Sequence, residues 1–213
     1  MEQLYNFHSI NNRVGIVPST WDLFEHNLSE AELVSLVEQA GFKIIAVDVI
    51  KIARDLIGKS KYRRVANLSE APEVFSCTSF IRWLYAQLGI ELYVFAIDES
   101  KQGIEVAIGN FQAGDLVFSK GRIGQYDNDP DLGVGHVGIV TEQGTVLHNT
   151  NLHVNNQPGI AEVSFETFYK NKDNFRGARR LLPEVGFYVL EIPQTTDILW
   201  SLDVKRKIMQ FLK

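Results

Sequence analysis

The chain of 213 residues has a single cysteine, and its net charge of −5 shows no excess of basic residues. One cysteine cannot form an intrachain disulfide, so the fold does not depend on an oxidising compartment. The acidic balance excludes the basic face of a typical nucleic-acid-binding protein. No stretch approaches the roughly 20 apolar residues of a membrane-spanning helix, and we find no repeats or low-complexity tracts. Since 45% of the residues are hydrophobic, we expect a globular protein with its own core.

The first residues lack a basic segment followed by an apolar run, which is the pattern of a secretory signal. We therefore expect a protein of the cytoplasm, or one that is exported by a non-standard route.

Helical patterns dominate the first part of the chain, and short β-like runs dominate the part after residue 90. Ser29 followed by Glu32 is a capping-box pattern that predicts a helix start, and apolar spacing predicts another helix at 48–57. Alternating and β-branched runs predict strands at 115–119, 136–141, 144–149 and 188–192. Helices first and an antiparallel sheet afterwards predict an α+β fold.

The C-terminal stretch 195–213 has the pattern of an amphipathic helix, with Leu199, Ile208 and Phe211 among its apolar residues. We expect this helix to pack on its own domain. A position on a membrane surface is the alternative, because a basic triplet at 205–207 accompanies the apolar residues.

Cys77 stands at the start of a predicted helix. Apolar residues follow at a helical spacing, at Ile81, Leu84 and Leu88. Gly89 is then a usual C-terminal stop. The first turn of a helix has unpaired N–H groups and a dipole that favours negative charge, so we expect a lowered thiol pKa and a better nucleophile. The alternative is a buried structural cysteine.

Two histidines lie on a predicted hairpin. His136 begins one β-run and His148 lies near the end of the next, with a turn pattern at 142–144 between them. If the loop is 141–143, His136 pairs directly with His148. Both imidazoles then point to the same side of the sheet, about 5 Å apart at Cβ.

A cysteine nucleophile needs a nearby base, and the base needs a third group that fixes its tautomer and orientation. Cys77, His136 and His148 can fill these three roles. The same side chains would also form a plausible zinc set, but no Cys-x-x-Cys or His-x-x-x-His spacing supports a metal site. Taken singly, each histidine is explained equally well as an ordinary strand residue.

Four separated segments carry a resemblance to a known family: FSCTSFIRWLYAQLGIEL, FQAGDLVFSKG, GHVGIVTEQGTVLHNT and FRGARRLLP. In this order and spacing they resemble the core of an NlpC-type cell-wall peptidase, which is a papain-like cysteine hydrolase. The resemblance covers roughly residues 46–183. It implies a papain-like α+β core, with N-terminal helices and a nucleophile at a helix start packed on an antiparallel β-sheet.

The resemblance also implies roles for individual residues. Cys77 is the nucleophile, His136 its general base, and His148 the polar group that orients the base. Tyr62 stands where the family often has a tyrosine that helps to stabilise the oxyanion. A surface aromatic residue in a basic loop is the alternative for Tyr62. No cofactor or metal is required for this chemistry.

The same resemblance predicts the domain organisation. Residues 1–45 are an N-terminal extension packed on the core, and residues 46–183 are the catalytic domain. Residues 184–213 are a C-terminal extension of a strand and a helix.

The chain departs from the family pattern beside the nucleophile. The family usually has an aspartate before the cysteine, and this chain has Ser76, which can cap the helix but supplies no carboxylate. A Trp-Gly-Gly segment that often follows the tyrosine is replaced by Arg63-Arg64-Val65. We therefore expect a substrate groove that differs from that of a standard cell-wall enzyme. Asp115 is mainly structural in the family, and we assign it no catalytic role.

An acidic loop precedes the strand of His136. Its residues Asp127, Asp129 and Asp131 resemble the start of a calcium loop, but Leu132 and Gly138 stand where that loop needs glycine and glutamate. A solvated acidic loop is the better interpretation.

We expect a cysteine hydrolase of amide bonds that acts on a peptide or muropeptide substrate. By resemblance, the substrate is a peptidoglycan stem peptide, cut between D-glutamate and the diamino acid. An intracellular amidase, deamidase or acyltransferase with the same site is the alternative. A non-catalytic binding module is a third possibility, although competent residues at all three catalytic positions argue against it.

Overall fold

The computed structural model describes residues 5–21, 28–121, 133–154, 157–170, 172–184, 186–193 and 197–212. The chain divides into two compact units, each made of segments that are not continuous in sequence. Among the described residues, no helix is long and apolar enough to cross a membrane.

The first unit comprises Met1–Val47, Tyr85–Glu91 and Pro183–Lys213. Its three-stranded antiparallel sheet contains, in spatial order, β1 (Arg13–Ile16), β11 (Tyr188–Glu191) and β2 (Lys43–Ile45). Two α-helices lie wholly within its described residues, α1 (Glu30–Gln39) and α6 (Ser201–Met209). Their apolar faces and the sheet share one core, which includes Val14, Ile16, Trp21, Val37, Phe42, Leu190, Val204 and Ile208.

Local sequence signals predict both helices of the first unit. The Ser29 hydroxyl accepts a hydrogen bond from Glu32 N, and the Glu32 carboxylate accepts one from Ser29 N, so the predicted capping box is confirmed. Helix α6 is shorter than the predicted 195–213. Its Val204 and Ile208 are buried in the core of this unit, whereas Phe211 is exposed.

The second unit comprises Asp48–Leu84 and Leu92–Leu182. Four helices begin in it: α2 (Val49–Asp55), α3 (Cys77–Gln87), α4 (Ala96–Glu99) and α5 (Phe165–Tyr169). Helix α3 has the predicted apolar face, with Phe80, Ile81 and Leu84 fully buried. Burial of this face fixes the orientation of the helix in the unit, and therefore the position of Cys77 in its first turn.

An eight-stranded sheet forms the rest of the second unit. Its strands are β3 (Lys61–Tyr62), β4 (Val74–Phe75), β5 (Ile104–Glu105), β6 (Leu116–Lys120), β7 (Val134–Val140), β8 (Val146–Val154), β9 (Gln157–Val163) and β10 (Phe175–Arg180). The spatial order is β4-β3-β9-β8-β7-β6-β10-β5. All pairs are antiparallel except β3 with β4. The predicted α+β fold class, with the cysteine at a helix start, is therefore confirmed.

The register of the β7–β8 hairpin differs from the prediction. Ile139 pairs with Leu147 and Val140 with Val146, so the predicted direct pairing of His136 with His148 is wrong by two residues. The turn is displaced by one residue, to 142–144, because Thr141 and Thr145 bond to each other across the hairpin, through Thr141 N to Thr145 O at 2.9 Å and through their hydroxyls at 2.6 Å. A shift of two residues keeps every side chain on its predicted face.

Candidate active site

Cys77 is the first residue of α3, and Ser76, the residue before it, caps the N-terminus of the helix. Ser79 N donates to the Ser76 hydroxyl at 3.1 Å, and Ser76 N donates to the Ser79 hydroxyl at 2.8 Å. This reciprocal cap confirms that Ser76 serves as the N-cap. The side chain of Ser76 is 7% exposed, so the cap occupies the position where the family has a carboxylate.

The environment of the Cys77 thiol contradicts the expected low pKa. Burial is the larger cause and the nearby carboxyl of Glu99 the smaller cause of a rise in the pKa of Cys77 to about 11. Hydrogen bonds from the backbone amides of Thr78, Val137 and Cys77 itself act in the opposite direction. The expected effect of the helix start is thus present but smaller than the effect of removing water from the thiol. The amide of Val137 also places the sulfur beside β7, one residue from His136.

His136 and His148 are joined directly. His136 Nε2 lies 2.7 Å from His148 Nδ1, and their ring centroids are 5.0 Å apart. The rings meet although they are not paired in register, because the two-residue shift leaves them on the same side of the sheet. His148 is 4% exposed, whereas His136 is only partly buried.

Both imidazoles are held in the neutral form. Burial lowers the pKa of His136 to about 4, with a smaller contribution from the positive charge of Lys170. Burial also lowers the pKa of His148 well below its usual value, and the charge of His136 adds to this shift. Near neutral pH the resting site therefore holds a thiol and two uncharged imidazoles.

Phe168 of α5 packs on both imidazoles. Its ring stacks on His136 at a centroid distance of 5.4 Å and meets His148 edge-on at 5.2 Å. Gly138 leaves the room for this ring, because a Cβ there would lie 3.0 Å from Phe168 Cε2 and 2.5 Å from Val146 Cγ1. Nothing in the local sequence around His136 identifies Phe168 as the aromatic side chain that fills this space.

Tyr62 lies near the nucleophile. It pairs with Phe75 where β3 and β4 run parallel, and Phe75 lies two residues before Cys77 in the chain. Burial raises the pKa of Tyr62, and the charge of Cys77 raises it further, whereas Arg64 lowers it. The structure thus brings together all four residues singled out in the sequence: Tyr62, Cys77, His136 and His148.

Comparison with known proteins agrees with this arrangement. The model of the NlpC/P60 family matches residues 61–174, which are more than half of the chain and include these four residues. The chain belongs to the NlpC/P60 family. The resemblance to NlpC-type cysteine hydrolases predicted from the sequence is therefore confirmed.

Individual members of the NlpC/P60 family are distant from this chain. The peptidoglycan DL-endopeptidase CwlO of Bacillus licheniformis is 31% identical over 155 residues, which cover 70% of this chain and 30% of CwlO. The chain spans about a third of the length of the curated relatives that it matches. Among solved structures, NlpC2 of Trichomonas vaginalis matches with a TM-score of 0.48 at 20% identity, over 66% of this chain and 48% of its own. The peptidoglycan hydrolase RipB of Mycobacterium tuberculosis matches with a TM-score of 0.46 at 20% identity, over 73% and 69%.

Asp115 has a structural position in this NlpC/P60 chain. Its carboxylate accepts from Arg180 Nε at 2.8 Å, from Arg180 Nη2 at 2.9 Å and from Gln112 N at 2.8 Å. These bonds join β6 to β10, and the Asp115 side chain is 1% exposed. This geometry agrees with the interpretation of Asp115 as mainly structural.

Glu99 was not singled out in the sequence. It ends α4 with 0% of its surface exposed, and neither carboxyl oxygen has a hydrogen-bond partner among the described residues. Burial raises the pKa of Glu99 well above its usual value, although the charge of Arg82 opposes this shift. Only the tertiary structure identifies this residue, because a Glu in a short polar helix is ordinarily exposed.

Two further expectations concern metals. The acidic residues Asp127, Asp129 and Asp131 lie outside the described residues. Within the part of the chain that the structure describes, no group of three or more His, Cys, Asp and Glu side chains is arranged to hold a metal ion.

Proposed function

We propose that the protein is a cysteine hydrolase of amide bonds, with Cys77 as nucleophile and His136 as general base. The observation that carries this proposal is the 2.7 Å contact of His136 Nε2 with His148 Nδ1, beside a thiol that accepts a hydrogen bond from the amide of Val137. A base oriented by a third group next to a nucleophile is the arrangement that thiol hydrolysis requires.

The resting site starts uncharged, so the thiol loses its proton as it attacks. The Cys77 sulfur bonds to the substrate carbonyl carbon, the thiol proton moves to His136, and the carbonyl π electrons move to oxygen. The carbon–nitrogen bond then breaks, and His136 returns the proton to the leaving amine. Water attacks the resulting thioester, gives its proton to His136, and releases the acid as the sulfur regains a proton.

His148 fixes the tautomer of the base. When His136 Nε2–H donates to His148 Nδ1, the other nitrogen of His136, Nδ1, is free to accept the thiol proton. His148 then carries its own proton on Nε2. The same contact stabilises the imidazolium that forms when His136 is protonated, because a neutral acceptor faces its second N–H.

Tyr62 and the helix start are proposed to bind the oxyanion. The amide of Cys77 belongs to the first turn of α3, whose N–H groups have no partners within the helix. Tyr62 supplies a hydroxyl whose raised pKa keeps it protonated and able to donate. Together they would face the negative charge that develops on the carbonyl oxygen.

The proposed substrate is a peptidoglycan stem peptide, cut between D-glutamate and the diamino acid. The name of the relative CwlO, a peptidoglycan DL-endopeptidase, supports this choice. We further propose that residues 46–183 are the catalytic domain, with 1–45 and 184–213 as extensions.

Mass spectrometry of a defined muropeptide mixture tests the proposal. The unaltered protein is expected to release L-alanyl-D-glutamate and the complementary fragment, and Cys77→Ala is expected to release neither. Cys77→Ser serves as a second control, because it keeps the size of the side chain and loses most nucleophilicity at neutral pH. An unchanged mixture, with Cys77 still open to alkylation, would contradict the proposed substrate.

A second candidate keeps the site and changes the substrate. Ser76 stands where the family usually has an aspartate, and its hydroxyl is used by the helix cap. A groove without this carboxylate would suit an amidase, deamidase or acyltransferase that acts on another amide. Product analysis separates the two reactions, since hydrolysis gives two fragments and transfer gives an adduct.

A further inference from the structure

We propose that Asn149 is a positioning residue that aligns the Cys77 thiol with His136. Asn149 follows His148 on β8, and its side chain is completely buried, with 0% of its surface exposed. This inference rests on the proposed function, because it concerns the geometry of the same cysteine and histidine pair.

The contacts of Asn149 reach the segment that precedes the nucleophile. Asn149 Nδ2 donates to Phe75 O at 2.7 Å and lies 3.4 Å from Ser76 O. Both acceptors are carbonyl oxygens, so only the nitrogen of the amide can face them, and the orientation of the side chain follows from the chemistry. Asn149 Oδ1 is buried with no partner among the described residues.

The carbonyl of Phe75, on β4, receives hydrogen bonds from β8 and from the residue that follows β3. It accepts from Asn149 on β8 and also from Arg63 N at 2.9 Å, the residue after Tyr62. Phe75 itself is fixed, because its buried ring meets Phe80 and Trp83 at centroid distances of 5.6 Å. One carbonyl thus lies two residues before Cys77 and bonds to the neighbours of both Tyr62 and His148.

The segment held by Asn149 has no continuous secondary structure of its own. Strand β4 ends at Phe75 and α3 begins at Cys77, so Ser76 alone joins them. A rotation about this residue would turn the sulfur away from β7. Since Asn149 holds the carbonyls on both sides of that link, it fixes the direction in which α3 presents the thiol to His136.

A double-mutant cycle on thiol alkylation tests the alignment without any peptidoglycan substrate. The rate of Cys77 alkylation by iodoacetamide is measured with and without His136→Ala, first in the unaltered chain and then in Asn149→Ala. We expect His136 to accelerate alkylation by about 30-fold in the unaltered chain and by less than about 3-fold in Asn149→Ala. A change in the exposure of the thiol affects the rates with and without His136→Ala alike, and it therefore cancels in the ratio of the two rates.

The two proposals fail in different ways in this cycle. If His136→Ala has no effect even in the unaltered chain, the base role of His136 is wrong, and the alignment by Asn149 is wrong with it. If the effect of His136 is large and equal in both backgrounds, only the role of Asn149 is overturned. Val106→Ala, at the buried residue that follows the far edge strand β5, is the control for general destabilisation and is expected to preserve the large effect.

The variant Asn149→Asp supplies a second measurement with a pH readout. A protonated aspartic acid can donate to the carbonyl of Phe75 as the amide does, whereas the ionised carboxylate repels both carbonyls. The ratio of its alkylation rate to that of the unaltered chain at equal pH is therefore expected to rise as the pH falls. A pH-independent ratio would overturn the proposal. The same conclusion follows if both Asn149 variants fail to fold at every pH while Val106→Ala folds, because Asn149 would then be purely structural.

Discussion

Two buried carboxyl groups in the second unit have opposite surroundings. Asp115 is 1% exposed and accepts three hydrogen bonds, two of them from Arg180. Glu99 is 0% exposed, and its oxygens have no hydrogen-bond partner among the described residues. The first group joins strands β6 and β10, whereas the second lies near enough to Cys77 to raise the pKa of the thiol.

Asp115 and Glu99 differ in how their buried carboxyl groups are compensated. A buried carboxylate that only stabilises a fold needs a full set of partners, because an uncompensated charge is costly in a medium of low polarity. Near Cys77, by contrast, two buried polar groups have no hydrogen-bond partner among the described residues: the carboxyl of Glu99 and Nε2 of His148. Groups with shifted pKa values gather at the site of the chemistry, as expected when a fold stabilises uncharged forms until a substrate arrives.

Removal of the Asp115 charge has the largest expected effect on stability. Asp115→Asn removes the carboxylate charge that accepts two hydrogen bonds from the guanidinium of Arg180, whose side chain is 18% exposed, and we expect a loss of about 3 kcal/mol in the free energy of unfolding. Denaturant unfolding measures this loss. Glu105→Gln is the matched control, because Glu105 pairs with the adjacent Arg179 but is 80% exposed, and it is expected to cost about 0.5 kcal/mol or less. Equal losses in the two variants would contradict the comparison.

Replacement of Phe168 tests the support of the two imidazoles. Phe168→Leu keeps an apolar side chain but removes the flat ring that contacts His136 and His148, and we expect a fall of about tenfold in kcat with little change in KM. Steady-state kinetics on a muropeptide provide the measurement. Phe111→Leu removes a ring that stacks on Phe165 in the same core, away from the imidazoles, and serves as the control. A similar loss in both variants would mean that core packing alone explains the effect.

Replacement of Glu99 by glutamine has the smallest expected effect, a change in the pKa of the Cys77 thiol, and it tests directly whether Glu99 acts on that thiol. Glu99→Gln keeps the shape of the protonated acid and cannot acquire the negative charge by which an ionised Glu99 raises the pKa of Cys77, so we expect the pKa of Cys77 to fall. The pH dependence of alkylation measures it. Asp98→Asn, on the same helix, is the control and is expected to leave the thiol pKa nearly unchanged. An unaltered profile in Glu99→Gln would mean that the carboxyl does not act on the thiol.

The same variant has a defined effect on stability against pH. Burial raises the pKa of Glu99 in the folded chain above its unfolded value, so the protonated form favours folding. The stability of the unaltered protein is therefore expected to fall as the pH rises through the folded-state pKa, and Glu99→Gln should lack this fall. Parallel curves for the two proteins would contradict the assignment.

Local signals in the sequence predict the elements that present the site. Ser29 and Ser76 mark helix starts through bonds with the residue three positions on, Glu32 and Ser79, and such bonds form in the chain segment itself. The period of two along a strand predicts that His136 and His148 share a face, and this prediction survives the error in register. The roles of these residues came from the family resemblance, since each histidine alone has an ordinary explanation.

Other features of the site depend on contacts between distant segments. The exact register of the hairpin is set by side-chain and backbone bonds between Thr141 and Thr145, which the turn pattern at 142–144 does not fix by itself. Phe168 and Asn149 act through residues 20 or more positions away in the chain. The predicted direction of the pKa shift of Cys77 is wrong, because the sequence reveals the helix start but not the burial of the thiol. Burial and long-range bonds therefore mark the limit of what this sequence predicts.

The central claim is that Cys77 forms a covalent acyl intermediate with the substrate. Intact-protein mass spectrometry after rapid acid quenching, with a defined stem-peptide muropeptide, tests it most directly. The account predicts a transient mass increase equal to the acyl part of the substrate, located on Cys77 and absent in Cys77→Ala. Product release at the same rate by Cys77→Ala, with no mass increase at Cys77 in the unaltered protein, would contradict it.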